Sequence, residues 1–403
     1  MRRAALGLLL LLIAPASALA VPQWHVRTVA TDGPAFLLAT DARGDRRLVV
    51  VDERRRGATW VLELRIGQTR RTLATARPHG FEGVHVGHDG NDRVTVTWNV
   101  IPGAHGTRRA YAWTQAGGVQ RVDLSGNRSV RVSDLSVARD GSAVLVLGRA
   151  DGLWVSRRAG DGSRAAGGSF GAPARITDIA GVSVAAAGPG GRSAVAWTAK
   201  GRAMASVDLA APQDLGPGDD LAAAVTPDGR VVLAGHAGSG VVAYDLPVDA
   251  TAFGPAQTLS TAAFTGVPAL VARGGTVVIG WTEGGLGTTA RDLATVRWGN
   301  SLSAVSRYDT GHDLGSRRAI LRVQPLPGTA ARFYYRTVGN TTRWFTVWID
   351  DAGRPHGAAR VTPPGERQAL DLRGELAGAG SAAVWTTQLS RSQSSYRIRI
   401  ATP

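Results

Sequence analysis

The sequence predicts an all-β fold of the β-propeller type, on three observations. One unit recurs along the chain: a glycine-containing turn, then a short alternating apolar run that ends on a core residue. After a polar loop, each copy continues into a second alternating run rich in aromatic or β-branched residues, which is typical of half-buried strands. A helical pattern is almost absent. Four short antiparallel strands repeated about eight times describe a propeller.

The repeat is most regular at the residues that end the apolar runs, which we call the anchors. The anchors are Val51, Trp98, Gly148, Trp197, Gly235, Trp281, Tyr335 and Trp385. Successive anchors lie 47, 50, 49, 38, 46, 54 and 50 residues apart, which is close to the length of a propeller blade. The sequence therefore predicts eight four-stranded blades, with seven as the alternative.

The two ends of the repeat region predict how the ring of blades closes. The last unit stops at SYRIRIATP, which has the pattern of a third strand with no fourth strand after it. A lone strand pattern, VPQWHVRTVAT, precedes the first unit. We predict that residues 24–29 supply the outer strand of the last blade, because such pairing protects the exposed edges of a sheet. Residues 21–403 then form a single propeller domain.

The first twenty residues predict a signal peptide that is cleaved. Arg2 and Arg3 precede a short apolar run, and residues 18–20 read Ala-Leu-Ala, with small residues where a signal peptidase cuts. The run holds about 8 residues, whereas a membrane span needs about 20. We expect a secreted protein, extracellular or associated with the cell envelope; a membrane anchor is the alternative. The chain has 0 cysteines, so it must be stable without disulfides.

The charge balance predicts an anionic partner. The formal net charge is +15, with 46 Lys and Arg residues of which only Lys200 is a lysine. Codon bias explains a preference for arginine over lysine, but it does not explain the positive net charge. Such a surface attracts polyanions, so we expect an anionic envelope polymer, a glycan or a protein partner. The basic residues are spread evenly and no aromatic RNA-binding signature occurs, so no specific nucleic-acid binding is expected. We also expect a monomer with no transmembrane span.

Two recurring motifs carry a resemblance to a known group. They are the glycine turn that leads into an Ala-Trp run, as in GRSAVAW, and the outer segments SFGAPARIT and AFGPAQTLS. On these motifs the chain resembles the secreted β-propeller-repeat proteins of GC-rich bacteria, with the general architecture of WD40 and sialidase-like propellers. The resemblance covers nearly the whole mature chain and implies that ligands meet the face carrying the loops after the anchors.

Polar residues follow the anchors in every copy, and these are the candidate ligand-binding residues. We single out Asp52, Asn99, Arg149, Lys200, His236, Glu283 and Arg336. A mixed polar ring at a channel mouth can bind a sugar, a peptide or a phosphate. A solvated rim is the alternative, because any strand that reaches water must turn polar.

No catalytic, metal or cofactor site is assigned from the sequence. We assign no nucleophile elbow, and cysteine is absent. Glycoside hydrolysis needs two opposed carboxylates; Glu283 with Asp52 or Glu53 is the best-placed set. The predicted function is a non-catalytic binding or scaffold protein at the cell envelope. The alternative is a glycosidase or sialidase-like enzyme that acts on anionic glycans.

Two further patterns are interpreted structurally. Residues 77–92 hold several histidines and carboxylates, but His85 and His88 point to opposite faces of a strand, so we expect no metal there. The Asp-Gly pairs at Asp89, Asp140 and Asp228 are explained as turn corners rather than as a sialidase Asp-box, since Asp accepts local backbone hydrogen bonds.

Overall fold

The chain folds into β-structure, as the repeat predicts. The structure, a computed structural model, describes residues 25–28, 35–43, 47–77, 79–101, 103, 106–122, 129–160, 168–284, 292–312, 314, 322–326, 329–337, 343–363, 377–379, 382–388 and 396–402. The predicted signal peptide, residues 1–20, lies outside these residues. The described residues contain strands and one 3₁₀ turn, Pro189–Gly191. None of them forms a helix of the length and apolarity that crossing a bilayer requires.

The strands form eight antiparallel sheets, which we number 1 to 8 along the chain. Their first strands are Ala35–Arg43, Phe81–His88, Arg131–Val137, Ser183–Ala187, Asp219–Val225, Ala269–Arg273, Arg322–Leu326 and Ala377–Ala379. The second strands are Arg47–Arg56, Val94–Val100, Ala143–Arg149, Ser193–Ala199, Val231–Ala237, Thr276–Gly284, Thr329–Thr337 and Ala382–Gln388. The third strands are Thr59–Ile66, Arg109–Thr114, Gly152–Arg158, Arg202–Val207, Gly240–Leu246, Asp292–Trp298, Arg343–Ile349 and Tyr396–Thr402. The fourth strands are Thr69–Ala76, Gly118–Arg121, Ala174–Thr177, Gln213–Pro217, Gln257–Ser260, Ser306–Asp309, Pro355–Arg360 and, in sheet 8, His25–Thr28.

Sheet 6 departs from the four-strand pattern. A short strand, Phe264–Thr265, pairs with the same second strand as Ala269–Arg273 does, so this sheet has five strands. Pro268 lies between the two pieces and has no N–H to donate to the ladder, which explains the interruption.

The sheets follow one another in sequence order. The first strand of each sheet contacts the first strand of the next, and Ala377–Ala379 of sheet 8 contacts Ala35–Arg43 of sheet 1. In sheet 8 the N-terminal strand His25–Thr28 pairs with Tyr396–Thr402, in the register His25 to Thr402. The first strands therefore lie side by side, and the fourth strands, which are the most exposed, lie at the opposite edge of each sheet.

The apolar core lies between consecutive sheets. Each major cluster of buried side chains joins two neighbouring sheets, from sheets 1 and 2 through to sheets 6 and 7. The second strands are covered on both faces, so polar as well as apolar side chains are buried in them, as Thr95 and Thr97 show. The anchors Trp98, Trp197, Trp281 and Tyr335 are at most 1% exposed, so the repeat pattern correctly located the core.

The Asp-Gly corners are turns. Asp89 Oδ1 accepts hydrogen bonds from the backbone N–H of Asn91 and Arg93, at 2.8 and 3.0 Å. In the same way Asp140 Oδ1 accepts from the Ser142 N–H at 2.9 Å. The glycine that follows Asp228 has φ 96°, a conformation that glycine adopts without strain.

Candidate functional site

Six of the seven predicted ring residues have described side chains, and four of those are buried. Asp52, Asn99, His236 and Glu283 are at most 4% exposed. The strands continue past the anchors, so these residues lie inside the sheets and not at a solvated rim. Lys200 is exposed in a turn with φ 50°. Arg336 lies in the second strand of sheet 7, and its side chain is outside the described residues.

Each of these residues interacts with a different set of neighbouring groups. Asn99, for example, joins sheet 2 to sheet 3. Its Nδ2 donates to the backbone oxygens of Arg109 and Val130, at 3.1 and 2.8 Å, and its Oδ1 accepts from the Val132 N–H at 2.7 Å. Among the ring residues whose side chains are described, no hydrogen bond or ion pair joins one to another. The predicted continuous ring is thus dispersed into separate local sites.

Arg149 lies in a cavity that we call the arginine cleft. This cleft has a volume of about 940 Å³ and is lined by sheets 2, 3 and 4. Gly148, which occupies an anchor position where other repeats have tryptophan, lines it as well. A Cβ at Gly148 would lie 3.0 Å from Ser133 Oγ, which also lines the cleft. The absence of a side chain at this anchor therefore lets the strand that bears Ser133 lie close.

Neighbouring groups hold the Arg149 guanidinium in place. Its Nε lies 3.0 Å from Asp151 Oδ1, and its Nη2 donates to Asp151 Oδ2 at 3.0 Å. The guanidinium carbon lies 5.5 Å from the centre of the Trp154 ring, and that of Arg175 lies 5.9 Å from the same ring. The Arg149 side chain is 9% exposed. A cation held this way needs little reorganisation to bind an anion, which favours affinity.

The rest of the cleft wall is basic, with hydroxyl groups and apolar patches. Arg108 is half-exposed and forms an ion pair with Glu82, and the exposed Arg131 has no ion-pair partner among the described residues. Ser183 Oγ is buried and has no hydrogen-bond partner within the described chain. Val182 is 80% exposed. Buried hydroxyls without a partner are uncommon in proteins, so this oxygen is available to a ligand or a water molecule.

Glu283 lies in a smaller cavity of about 360 Å³ beside Asp292. Glu283 Oε2 accepts hydrogen bonds from Ser260 Oγ at 2.7 Å and from Trp281 Nε1 at 2.9 Å, and Oε1 accepts one from Arg307. Burial alone would raise the pKa of Glu283, but these donors outweigh it and the pKa is lowered. Glu283 is therefore an ionised carboxylate with its oxygens already bound.

The pKa of Asp292 is shifted in the opposite direction to that of Glu283. Asp292 is directly opposite Glu283 on one neighbouring strand and opposite Asp309 on the other. Burial first, and then the charges of Asp309 and Glu283, raise the pKa of Asp292 above its ordinary value. Neighbouring carboxylates whose pKa values are pushed apart are a recurring feature of acid–base sites.

The raised pKa of Asp292 predicts a pH-dependent effect of Asp292→Asn. The wild-type carboxyl favours folding in its protonated form, and this contribution is lost as the pH rises through its raised pKa. We expect Asp292→Asn to be more stable than wild type at pH 7 by about 0.2–1 kcal/mol, the range for like charges across strands. The difference should vanish below the ordinary pKa of 3.8. Urea unfolding at pH 3 and pH 7 measures it.

A matched control for that experiment is Asp214→Asn. The hydrogen bond from Arg202, followed by that from the Gly216 N–H, lowers the pKa of Asp214. Its contribution to stability is thus present at neutral pH and lost in acid, which is the reverse of Asp292. If the stability difference from wild type changed with pH in the same direction for both variants, the pKa of Asp292 would not be raised.

Within residues 77–92, His85 and His88 face different carboxylates. His85 Nδ1 lies 3.5 Å from Asp134 Oδ1, whereas His88 Nδ1 lies 2.7 Å from Asp41 Oδ2. A different group does bring metal-type ligands together. One ligand atom each from Asp219, Asp220 and His236 lies within 4.8 Å of the others. Only His236 of these three was among the predicted site residues.

Comparison with known proteins supports the fold alone. No protein-family model matches the chain, and no curated protein matches it. The structure is similar to the Dos1 propeller, with a TM-score of 0.52 and 9% identity over 94% of this chain and 95% of that chain. It also matches apo AztD from Citrobacter koseri, with a TM-score of 0.47 and 14% identity over 89% and 90%. An α-L-arabinofuranosidase from Clostridium thermocellum matches with a TM-score of 0.35 and 9% identity over 69% and 93%. The chain thus has a propeller-like all-β fold.

Proposed function

We propose that this chain is a secreted, non-catalytic β-propeller that binds an anionic glycan or envelope polymer in the arginine cleft. The observation that carries the proposal is the charge on the cleft wall. Arg108, Arg131 and Arg149 line it, and two carboxylates neutralise part of this charge: Asp151, which Arg149 engages, and Glu82, which pairs with Arg108. The surplus of guanidinium groups suits carboxylate, sulfate or phosphate, because arginine binds these groups through paired hydrogen bonds.

The polar and apolar groups of the cleft favour a glycan over a bare anion. Sugars offer hydroxyls that donate and accept hydrogen bonds, and Ser183 Oγ is an unpartnered group on the wall. Sugars also have apolar C–H faces, which fit beside the exposed Val182 and the buried Leu153. A volume of about 940 Å³ lies at the upper end of the range for ligand pockets.

The proposed molecule is a closed ring of eight blades. Eight sheets in sequence order, contacts between successive first strands, and the pairing of His25–Thr28 with Tyr396–Thr402 support it. Export is proposed from the charged and apolar pattern of residues 1–20. A closed ring would hold the walls of the cleft rigidly, since three different sheets supply them.

We predict that Arg149→Ala weakens binding of an acidic oligosaccharide about tenfold or more. A hydrogen bond to a charged group contributes about 1.5–3 kcal/mol, and 1.4 kcal/mol corresponds to a factor of ten in Kd. The measurement is isothermal titration calorimetry with a defined oligogalacturonate, and with a neutral oligogalactan of equal length, over a salt series. We expect the acidic ligand to bind more tightly, with an advantage that shrinks as salt rises.

Arg273→Ala is the matched control for Arg149→Ala. Arg273 pairs with Asp351 at 3.2 Å on the partly exposed surface of sheet 6, so its loss removes the same charge outside the cleft. Equal weakening by both variants would mean that binding depends on net charge alone. Equal affinity for acidic and neutral ligands would contradict the anionic preference.

A second candidate function, hydrolysis of anionic glycans, is supported by one observation: the pair Glu283 and Asp292 with pKa values shifted in opposite directions. The hydrogen bonds that Glu283 accepts count against its acting as a nucleophile. Release of reducing ends from oligogalacturonate tests this function. Hydrolysis by the wild type that is abolished in Asp292→Asn would establish it.

A further inference from the structure

We propose that Asp219, Asp220 and His236 form a binding site for a divalent transition-metal ion, with Zn²⁺ as the best fit. His236 Nδ1 lies 3.8 Å from Asp219 Oδ1 and 3.6 Å from Asp220 Oδ2. One imidazole nitrogen and two carboxylate oxygens therefore face a common point. This site lies in sheet 5, outside the arginine cleft, and its test needs no glycan.

The orientation of the His236 ring is fixed by its other nitrogen. The ring is 3% exposed, and Nε2 lies 2.9 Å from the backbone oxygen of Gly266. A carbonyl oxygen only accepts, so Nε2 carries the proton and donates. Gly266 is itself held, because its N–H donates to the Thr282 oxygen at 2.7 Å. A histidine that ligates a metal typically donates its second N–H to a backbone carbonyl or a carboxylate in this way.

The same hydrogen bond leaves Nδ1 directed at two carboxylates. The separations of 3.6 and 3.8 Å are too long for hydrogen bonds. A proton on Nδ1 would leave both of these separations unbridged and two negative charges beside one positive charge. A divalent cation would satisfy all three ligand atoms together.

A β-bulge brings the two neighbouring aspartates to one place. Asp219 pairs with His236 across the first two strands of sheet 5, and the register shifts between Asp219 and Ala222. In a regular strand, adjacent side chains point to opposite faces. Asp220 instead has φ 47°, a left-handed conformation that is rare outside glycine, asparagine and aspartate. The bulge thus lets two successive carboxylates approach one imidazole.

The glycine anchor of this repeat permits that approach. A Cβ at Gly235 would lie 2.8 Å from the backbone oxygen of Asp219 and 2.6 Å from Leu221 Cδ2. A larger side chain at this position, such as the tryptophan of other repeats, would collide with the strand that bears Asp219. That strand can come close because Gly235 has no side chain. Both repeats with a glycine anchor contain a candidate site, the arginine cleft at Gly148 and this cluster at Gly235.

The ligand chemistry and the exposure select the type of metal. Imidazole ligands suit zinc and other transition metals, whereas Mg²⁺ and Ca²⁺ prefer all-oxygen sites. The side chains of Asp219 and Asp220 are 58% and 39% exposed, so water can reach the ion. Three protein ligands with a position open to water are typical of zinc sites that exchange or activate a bound molecule.

The test is metal binding by untagged protein, with Zn²⁺ alone followed by calorimetry and Co²⁺ alone by visible absorption. We expect one ion per chain in wild type. Asp220→Asn should lower the Zn²⁺ affinity by more than the roughly tenfold typical of losing an outer-shell partner. Asparagine also adopts the left-handed conformation, so this variant should keep the fold. His236→Gln, whose amide can still donate to Gly266, should also lose the ion.

His356→Asn is the matched control. His356 Nε2 lies 2.9 Å from Asp350 Oδ2 in an exposed histidine–aspartate pair, so its loss should leave the Zn²⁺ affinity unchanged. Wild type that binds no Zn²⁺, or that binds it equally well in Asp220→Asn and His236→Gln, would overturn the proposal. Co²⁺ bands that persist in His236→Gln would show that the imidazole is not a ligand.

Discussion

Asp52→Ala should lower the free energy of unfolding by about 3–5 kcal/mol, the usual cost of breaking a buried ion pair from one side. Asp52 Oδ1 lies 3.0 Å from Arg54 Nε, and Oδ2 lies 2.6 Å from Arg65 Nε. Glu63 completes the group, since its Oε1 lies 3.1 Å from Arg65 Nη2 and also pairs with Arg54. Two carboxylates balance two guanidinium groups, and all four residues are at most 5% exposed.

Removal of the one carboxylate leaves two buried cations beside a single anion. The resulting desolvation penalty is no longer offset, which is why the expected effect exceeds that of any surface pair. Urea unfolding followed by tryptophan fluorescence and by circular dichroism measures the change. Asp214→Ala, which removes one partner of an exposed pair with Arg202, is the control and should change stability little. If Asp52→Ala lowers the free energy of unfolding no more than Asp214→Ala does, the ion pairs of Asp52 are not buried.

Trp281→Ala should be comparably destabilising, by about 3–5 kcal/mol, because it removes a large side chain from a packed core. Trp281 is 0% exposed and lies in the apolar cluster between sheets 5 and 6, with Ile279 and Val241. Its Nε1 also donates to Glu283 Oε2 at 2.9 Å. The truncation thus leaves a cavity and takes one donor from a buried carboxylate.

Trp281→Phe separates these two contributions. Phenylalanine keeps much of the packing but cannot donate to Glu283. We expect this variant to lie between wild type and Trp281→Ala, and the remaining loss measures the hydrogen bond to the carboxylate. A Trp281→Ala variant as stable as wild type would show that the repeat anchors do not form the core.

The all-β fold could be predicted because its signal is local and repeated. Each glycine turn and apolar run predicts one pair of strands, and the tryptophan anchors mark residues buried between sheets. The lone N-terminal strand pattern indicated the pairing of His25–Thr28 in sheet 8. The extra strand Phe264–Thr265 of sheet 6 was not predicted, because Pro268 splits a strand that the pattern treats as continuous.

The site was harder to predict because it depends on pairing between strands. Asp52 belongs to a charged run, and nothing in that run shows that Arg65 on the next strand neutralises it. Arg149 was found because it follows an anchor, whereas Arg108 directly precedes the third strand of sheet 2 and Arg131 belongs to the first strand of sheet 3, where it pairs with Gly148, and neither has a local signal. One pattern in the sequence pointed to the pair of Asp219 and His236: Asp219 lies nine residues before Asp228 and His236 eight residues after it. Antiparallel pairing across the turn therefore places them together, with the bulge taking up the one-residue difference.

Native mass spectrometry of the protein with a defined oligogalacturonate tests whether the arginine cleft binds an anionic glycan without cleaving it, because it weighs the complex and any product in one spectrum. We expect a complex of one chain with one intact oligosaccharide, much reduced in Arg149→Ala, and an oligosaccharide of unchanged mass after long incubation. Shorter oligosaccharides that appear with wild type would show catalysis and contradict the claim. A complex equally abundant in Arg149→Ala would show that the ligand binds elsewhere.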